Sequence, residues 1–304
     1  MKKQLKSLLC LLIAATMLLS LSSCGKGKGA DSEEESGKKV ILILVDGMRP
    51  DAMEQCGNKY FGELKKKCAY TLNAQTVWPS KTLPAHLSLF YSIPPEKHGT
   101  TSNEKFVPHP TSEPADNGLF ERLRLLDKKS CMYYSWEPLK NVTGPESEAL
   151  TVSELLRYQD FQDQDEDKLI TKRALNGIKE VNPDFAFIYI GSTDSTGHRE
   201  GWMSDAYLER VDAALDRIKT IMDKTKGEYT IIITADHGGH DKTHGNDIPE
   251  DMTIPLFIYD KDIKPGKISG DVSILDIAPT IAEFMDFAAP ESWEGKSLVS
   301  RIKK

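Results

Sequence analysis

The chain has 304 residues, of which 39% are hydrophobic and 28% charged, and it carries a formal charge of −7. That length is enough for one substantial folded domain. The acidic balance argues against a nucleic-acid-binding surface, which needs clustered positive charge, and is what plain solubility asks of a domain this size.

The first residues stand apart from any fold. Lys2, Lys3 and Lys6 make a basic start, Leu8 to Leu21 is almost wholly apolar, and small residues lead into Leu21-Ser22-Ser23-Cys24. That order predicts a secretory signal over residues 1–23, and the apolar run is too short to span a bilayer comfortably. A cysteine directly after small residues resembles a bacterial lipoprotein lipobox. The resemblance implies acylation of Cys24, export, and anchoring on the periplasmic or cell-surface side of a membrane. An ordinary signal peptide cut nearby and an uncleaved anchor are the alternatives. Residues 24–38 hold no large apolar side chain and read as a flexible tether, which leaves 39–304 as the folded domain. Cys56, Cys68 and Cys131 are odd in number and lack zinc-ribbon spacing. They read as small buried residues, with a Cys56–Cys68 bridge open in an oxidising compartment.

Within the domain, Val40 to Val45 (VILILV) is a continuous apolar, β-branched run, as expected of a strand buried on both faces. Leu83 to Phe90 looks helical, with Pro84 tolerated in the first turn. Glu104 to Asn117 is proline-rich and without periodicity, so it reads as a loop, and Asn141 to Asp165 as a polar excursion. Cys131 to Tyr134 is a short strand candidate. Asp167 to Val181 is helical, Phe185 to Ile190 a second buried strand, and Leu208, Val211, Leu215, Ile218 and Met222 recur at helical steps. Tyr229 to Ala235 is a third buried strand, Leu256 to Tyr259 a shorter one. Ile274 to Met285 is a last helix with Pro279 in its first turn. Strands alternating with helices predict an α/β fold: a doubly wound, mostly parallel sheet with helices on both faces. Ligands in such sheets bind beyond the carboxyl ends of the strands.

Four motifs fall at those ends or at a loop-to-helix junction. In Val45-Asp46-Gly47-Met48-Arg49, an aspartate at the tip of a buried strand needs a positive partner such as a metal, unless it caps the next helix. In Ser80-Lys81-Thr82-Leu83-Pro84-Ala85-His86, Thr82 sits at a helix N-terminus, as a cap or where an alkoxide or phosphate is favoured. In Ser192-Thr193-Asp194-Ser195-Thr196-Gly197-His198, the Asp and His can converge on one cation from a tight turn. Asp236-His237-Gly238-Gly239-His240-Asp241-Lys242-Thr243-His244 packs three of the seven histidines beside two aspartates, a donor set that zinc accepts readily.

In this order, VDGMR, SKTLPAH, STDSTGH and ADHGG resemble the alkaline phosphatase superfamily, and most nearly its nucleotide pyrophosphatase/phosphodiesterase branch. Glu96-Lys97-His98-Gly99 followed by Asn103 is similar to that branch too. DIAPTIAEFM and WEGKSL look like the superfamily's closing segment. The resemblance implies two divalent metal ions, zinc by preference. One would be held by Asp194, His198 and a late histidine, His244 rather than His240; the other by Asp46, Asp236 and His237, also contacting Thr82. It further implies Thr82 as nucleophile, Asn103 on a phosphate oxygen, and structural roles for His86 and His98.

The implied reaction is hydrolysis of a small-molecule phosphodiester or pyrophosphate through a phospho-threonine. Sulfatases of the superfamily place a modifiable Cys or Ser where Thr82 stands, so sulfatase activity is not expected. No arginine lies near Thr82, which favours a diester over a dianionic monoester. A phosphomonoesterase or phosphonate hydrolase of the same fold is the enzymatic alternative, and a metal-binding surface lipoprotein the non-enzymatic one. Tyr133, Tyr134, Trp136 and Tyr158 are candidates for stacking on a base, or for core packing.

Overall fold

The computed structural model describes residues 37–104, 117–143, 150–157 and 165–303. The signal, Cys24, most of the tether, most of the proline-rich loop, Tyr158 and much of the 141–165 stretch lie outside the described residues. Eight strands form one sheet in the order β4-β3-β5-β1-β6-β7-β2-β8. They are β1 Lys39–Val45, β2 Ala69–Gln75, β3 Ser130–Tyr134, β4 Val152–Leu155, β5 Phe185–Ile190, β6 Tyr229–Thr234, β7 Thr253–Tyr259 and β8 Gly266–Lys267. All neighbouring pairs are parallel except those made by β7, which runs antiparallel to both β6 and β2. The expected α/β class and mostly parallel sheet are what the chain forms.

The three apolar runs become the middle of the sheet. β5 and β6 are wholly buried, and β1 is buried from Val40 on. Such strands carry no alternation because helices cover both faces. The helices Pro50–Gln55, Lys59–Lys67, Glu166–Val181 and Ser192–Glu200 group around the long helix Asp205–Thr225. Leu119–Leu125 and Ile277–Phe284 group around Thr82–Tyr91. Removing a core methyl group costs transfer energy plus a cavity. Leu42→Ala, at a fully buried position of β1, is expected to lower unfolding free energy by about 2–5 kcal/mol, read from the urea midpoint.

Three strands escaped the pattern, β2, β4 and the two-residue β8. β4 lies at the sheet edge where polar composition predicts only an excursion; Val152, Glu154 and Leu155 are half-buried and Ser153 is exposed, so one-sided pairing needs little apolar content. β2 (AYTLNAQ) alternates only in part and shifts register between Thr71 and Ala74. The closing segment starts with a capping box, Ser273 with Asp276. It is tied by Lys296 N donating to Asp276 Oδ1 at 2.8 Å and Leu298 N to Thr280 Oγ1 at 3.0 Å. Cys56, Cys68 and Cys131 are free thiols, the last two buried.

Candidate active site

Register puts the ends of three central strands side by side: Val45 pairs with Ile190, and Leu44 with Thr234. Whatever follows those residues emerges at one place. After β1, Asp46 is wholly buried and caps nothing, because Arg49 precedes the Pro50–Gln55 helix. Gly47 adopts φ 64°, in the left-handed region, and a β-carbon there would meet Asp194 at 3.3 Å. Glycine therefore permits both the turn and the approach of the second carboxylate. Its N–H donates to Asp236 Oδ1 at 3.1 Å, and its carbonyl accepts from Tyr207 Oη at 2.7 Å.

After β5 the chain forms a helix, Ser192–Glu200, and not the tight turn expected around Asp194 and His198. Residues four apart share a helix face, which sets His198 Nε2 3.5 Å from Asp194 Oδ1. The buried Asp167 carboxylate holds the start of this helix by accepting from Ser192 Oγ and Ser192 N. After β6, Asp236 and His237 are wholly buried. The following loop returns His244 over them, its ring stacked on that of His237 at 3.8 Å and 9°. His244 Nε2 lies 3.7 Å from Asp194 Oδ1. His240 instead meets Asp251 at 2.7 Å.

Thr82 is the first residue of the Thr82–Tyr91 helix, and Lys81 holds the cap position. The Thr82 hydroxyl is thus not spent on capping. It lies 3.2 Å from His237 Nε2 and 3.4 Å from Asn103 Nδ2. Asn103 Oδ1 accepts from Leu83 N at 2.9 Å, which turns the amide NH2 toward that hydroxyl. His86 Nδ1 donates to Thr82 O at 2.8 Å. His98 accepts from Thr100 N at 3.2 Å and lies 3.0 Å from Ser88 Oγ, joining the helix to the loop that carries Asn103.

Donor atoms of Asp194, His198 and His244 lie within 4.8 Å of one another, as do those of Asp46, Asp194 and His237. Asp194 therefore reaches both groups. Asp236 Oδ2 stands 3.4 Å from His237 Nε2. Each imidazole is held the same way: Nδ1 of His198, His237 and His244 donates to the carbonyl of Lys242, Gly238 and Ser80, at 3.0, 2.8 and 2.8 Å. The proton on Nδ1 leaves a lone pair on Nε2, and every Nε2 faces carboxylate oxygen. Asp46 Oδ1, Asp194 Oδ1 and Asp236 Oδ2 are buried and have no hydrogen-bond partner among the described residues. Acceptors facing acceptors in a buried space fit a divalent cation, and the oxygen and imidazole donors suit zinc.

The electrostatics agree with that fit. Burial first, then Asp236 and Asp194, drives the Asp46 carboxyl well above its ordinary value of 3.8. Burial likewise pushes Asp236 up to about 7, and raises Asp194 against the pull of His244 and His198. His237 and His244 are lowered, by burial first. Both are therefore neutral near pH 7, as ligands must be.

A cavity of about 580 Å³ opens on this cluster, lined by Asp46, Thr82, Asn103, Asp194, His198 and His244, and also by Ser135, Trp136, Glu104 and Glu166. No Lys or Arg lines it among the described residues. Trp136 is thus available for stacking, whereas Tyr133 and Tyr134 are in the core. Tyr189, which donates to Asp46 Oδ2, and Thr76, which donates to Asp236 O at 2.5 Å, were not legible as site residues. Tyr189 reads as one more apolar strand residue, and Thr76 belongs to no motif.

The family model for type I phosphodiesterase / nucleotide pyrophosphatase matches residues 40–252. Human ectonucleotide pyrophosphatase/phosphodiesterase family member 1 is 26% identical over 221 residues, which is 66% of this chain and 23% of that protein. The chain thus spans under a third of the length of that curated relative. Murine ectonucleotide pyrophosphatase/phosphodiesterase 5, in an inactive form with AMP, superposes with a TM-score of 0.72 at 13% identity, covering 88% of this chain and 100% of that one. A phosphonate monoester hydrolase from Silicibacter pomeroyi gives 0.67 at 14%, covering 86% and 76%. These two likenesses concern the fold. With the family model matched over most of the folded part, the chain belongs to the type I phosphodiesterase / nucleotide pyrophosphatase family.

Proposed function

We propose that this protein is a metal-dependent hydrolase that cleaves phosphodiester or pyrophosphate bonds, with Thr82 as the nucleophile. The observation that carries the reading is the set of unpartnered buried carboxylate oxygens and proton-free Nε2 atoms gathered around one threonine hydroxyl. Asp194, His198 and His244 would hold one divalent ion and Asp46, Asp236 and His237 the other, with Thr82 against the second. Bound there, zinc would offset the buried negative charge, lower the pKa of the attacking hydroxyl and stabilise charge on the phosphoryl oxygens.

The chain's own groups supply the rest. The Thr82–Tyr91 helix presents Oγ1 at its N-terminus, where backbone N–H groups favour an anion. Asn103 Nδ2, oriented by Leu83 N, donates to a non-bridging phosphoryl oxygen. Attack by Thr82 Oγ1 on phosphorus breaks the bond to the leaving oxygen and leaves a phospho-threonine, which water then hydrolyses. Among the described residues the wall carries no Lys or Arg to clamp a dianion, which supports a monoanionic diester or pyrophosphate. Trp136 offers a face for a flat leaving group; the AMP complex of the murine relative lends a nucleotide some support.

The test compares bis-p-nitrophenyl phosphate with p-nitrophenyl phosphate on zinc-loaded protein. Faster diester turnover is expected. Faster monoester turnover would move the assignment to a phosphomonoesterase or phosphonate hydrolase. The export and lipid anchor at Cys24 are proposed from the sequence alone, and Cys24→Ala is expected to shift the protein from the membrane to the soluble fraction.

A further inference from the structure

The loop between β6 and β7 has to place His244 with no regular secondary structure to hold it. What holds it is a residue outside every motif described above. Asp251, in the short helix Pro249–Met252, is wholly buried. Its Oδ1 accepts from His240 Nδ1 at 2.7 Å and its Oδ2 from Asn246 N at 2.9 Å. Its carbonyl accepts from Gly238 N at 2.8 Å. One side chain thus grips the loop at positions on either side of His244.

The grip continues into the nucleophile segment. Asn246 Nδ2 lies 3.3 Å from His240 Nε2, and Asn246 O accepts from Ser80 Oγ at 2.9 Å. Ser80 O, in turn, accepts from His244 Nδ1 at 2.8 Å. His240 and Thr243 exchange backbone hydrogen bonds at 2.9 Å each, closing the turn around Asp241. A hydrogen bond to a buried carboxylate is worth more than a neutral one, and leaving that carboxylate unmatched is costly. The Asp251 pocket therefore resists any shift of the loop that would carry His244 away from Asp194.

We infer that Asp251, through His240 and Asn246, is the positioning centre for the Asp194–His198–His244 cation position, and that His240 acts through Asp251 and is not itself a ligand. The inference rests on the two-metal reading above. The Asp46–Asp236–His237 position depends less on the loop, since Asp46 directly follows β1 and Asp236 and His237 come just after β6 and are wholly buried.

The His240 side chain is 23% exposed, so replacing it threatens folding less than replacing Asp251. The experiment titrates zinc into the chelator-treated full chain, with thermal midpoint and far-UV circular dichroism measured without metal. Wild type is expected to bind two equivalents; failure to do so would overturn the metal reading itself, whatever the variants do. His240→Ala is expected to weaken one equivalent about tenfold or more while the other keeps its affinity. His240→Asn, whose amide NH2 can take the place of Nδ1–H against Asp251, is expected to restore that equivalent to within about threefold. Two unchanged equivalents in His240→Ala would overturn the inference. So would failure of Asn to rescue a folded protein, because that result makes His240 a ligand.

Discussion

Thr82→Ala is expected to reduce turnover of bis-p-nitrophenyl phosphate by at least about 10⁴-fold, the scale on which loss of a nucleophile acts, with little change in thermal midpoint. The hydroxyl's contacts are His237 Nε2 and Asn103 Nδ2, both members of the site. Its removal therefore takes away no support for the fold. The helix also keeps its N-terminus, because Lys81 occupies the cap position. Thr82→Ser retains the oxygen and is expected to keep activity within about a hundredfold, since the same group attacks. Acid quench of a burst with wild type should trap a p-nitrophenyl phosphoryl group on residue 82, with one equivalent of p-nitrophenol released. An alanine variant as fast as wild type would remove Thr82 from the mechanism.

Zinc binding is expected to weaken steeply below pH 7, by about tenfold per unit for each proton displaced. The proton sits on carboxylate and not on His237 or His244. Asp236 holds its proton up to about pH 7, raised from 3.8, and Asp46 is raised well above its ordinary value as well. His237 and His244 are lowered and so give up no proton at neutral pH. For stability the sign follows directly. The folded Asp236 carboxyl keeps a proton that the unfolded one has lost, so without metal its contribution to stability falls as pH rises from about 4 to 7. On the two-metal reading proposed above, a bound zinc would take the place of that proton. The stabilisation by a thousandfold excess over Kd, about 4 kcal/mol, should therefore appear at pH 8 and shrink toward pH 5. Calorimetry in buffers of different ionisation enthalpy would count the released protons. Proton release that vanished at pH 6, or that Asp236→Asn lowered only in part while His244→Gln abolished it, would contradict this account.

The core of this site was legible because its pieces are local. A buried strand reads as an unbroken apolar run, and the residue just after it is where chemistry can sit. VILILV, FAFIYI and YTIIIT each announced an end, and Asp46, Asp194 and Asp236 followed. What the pattern could not show was the helix under Asp194 and His198. Ser, Thr, Asp and Gly are weak helix formers that favour caps and turns, and here Asp167 on another helix holds the first turn. Nor could it show Asp251, Tyr189 or Thr76, which reach the site through contacts made between distant segments. The half-buried β4 and the irregular β2 were missed for a related reason. A strand paired at the rim needs only part of the hydrophobic signal that a central one requires.

That rim has a bearing on how the protein ages in solution. The sheet ends in four-residue β4 on one side and two-residue β8 on the other, so its long strands present little open hydrogen-bonding edge. Beyond β8, the outer side of β2 is met by Gln75 N donating to Val272 O at 2.9 Å. Ala69 and Tyr70 pair with Gly266 and Lys267. Peeling away the stretch from Gly266 to Ser273 would strip the cover from a seven-residue strand and offer a template to a second molecule. Fraying of that stretch would thus bare the pairing groups of β2 while the buried centre of the sheet stayed intact.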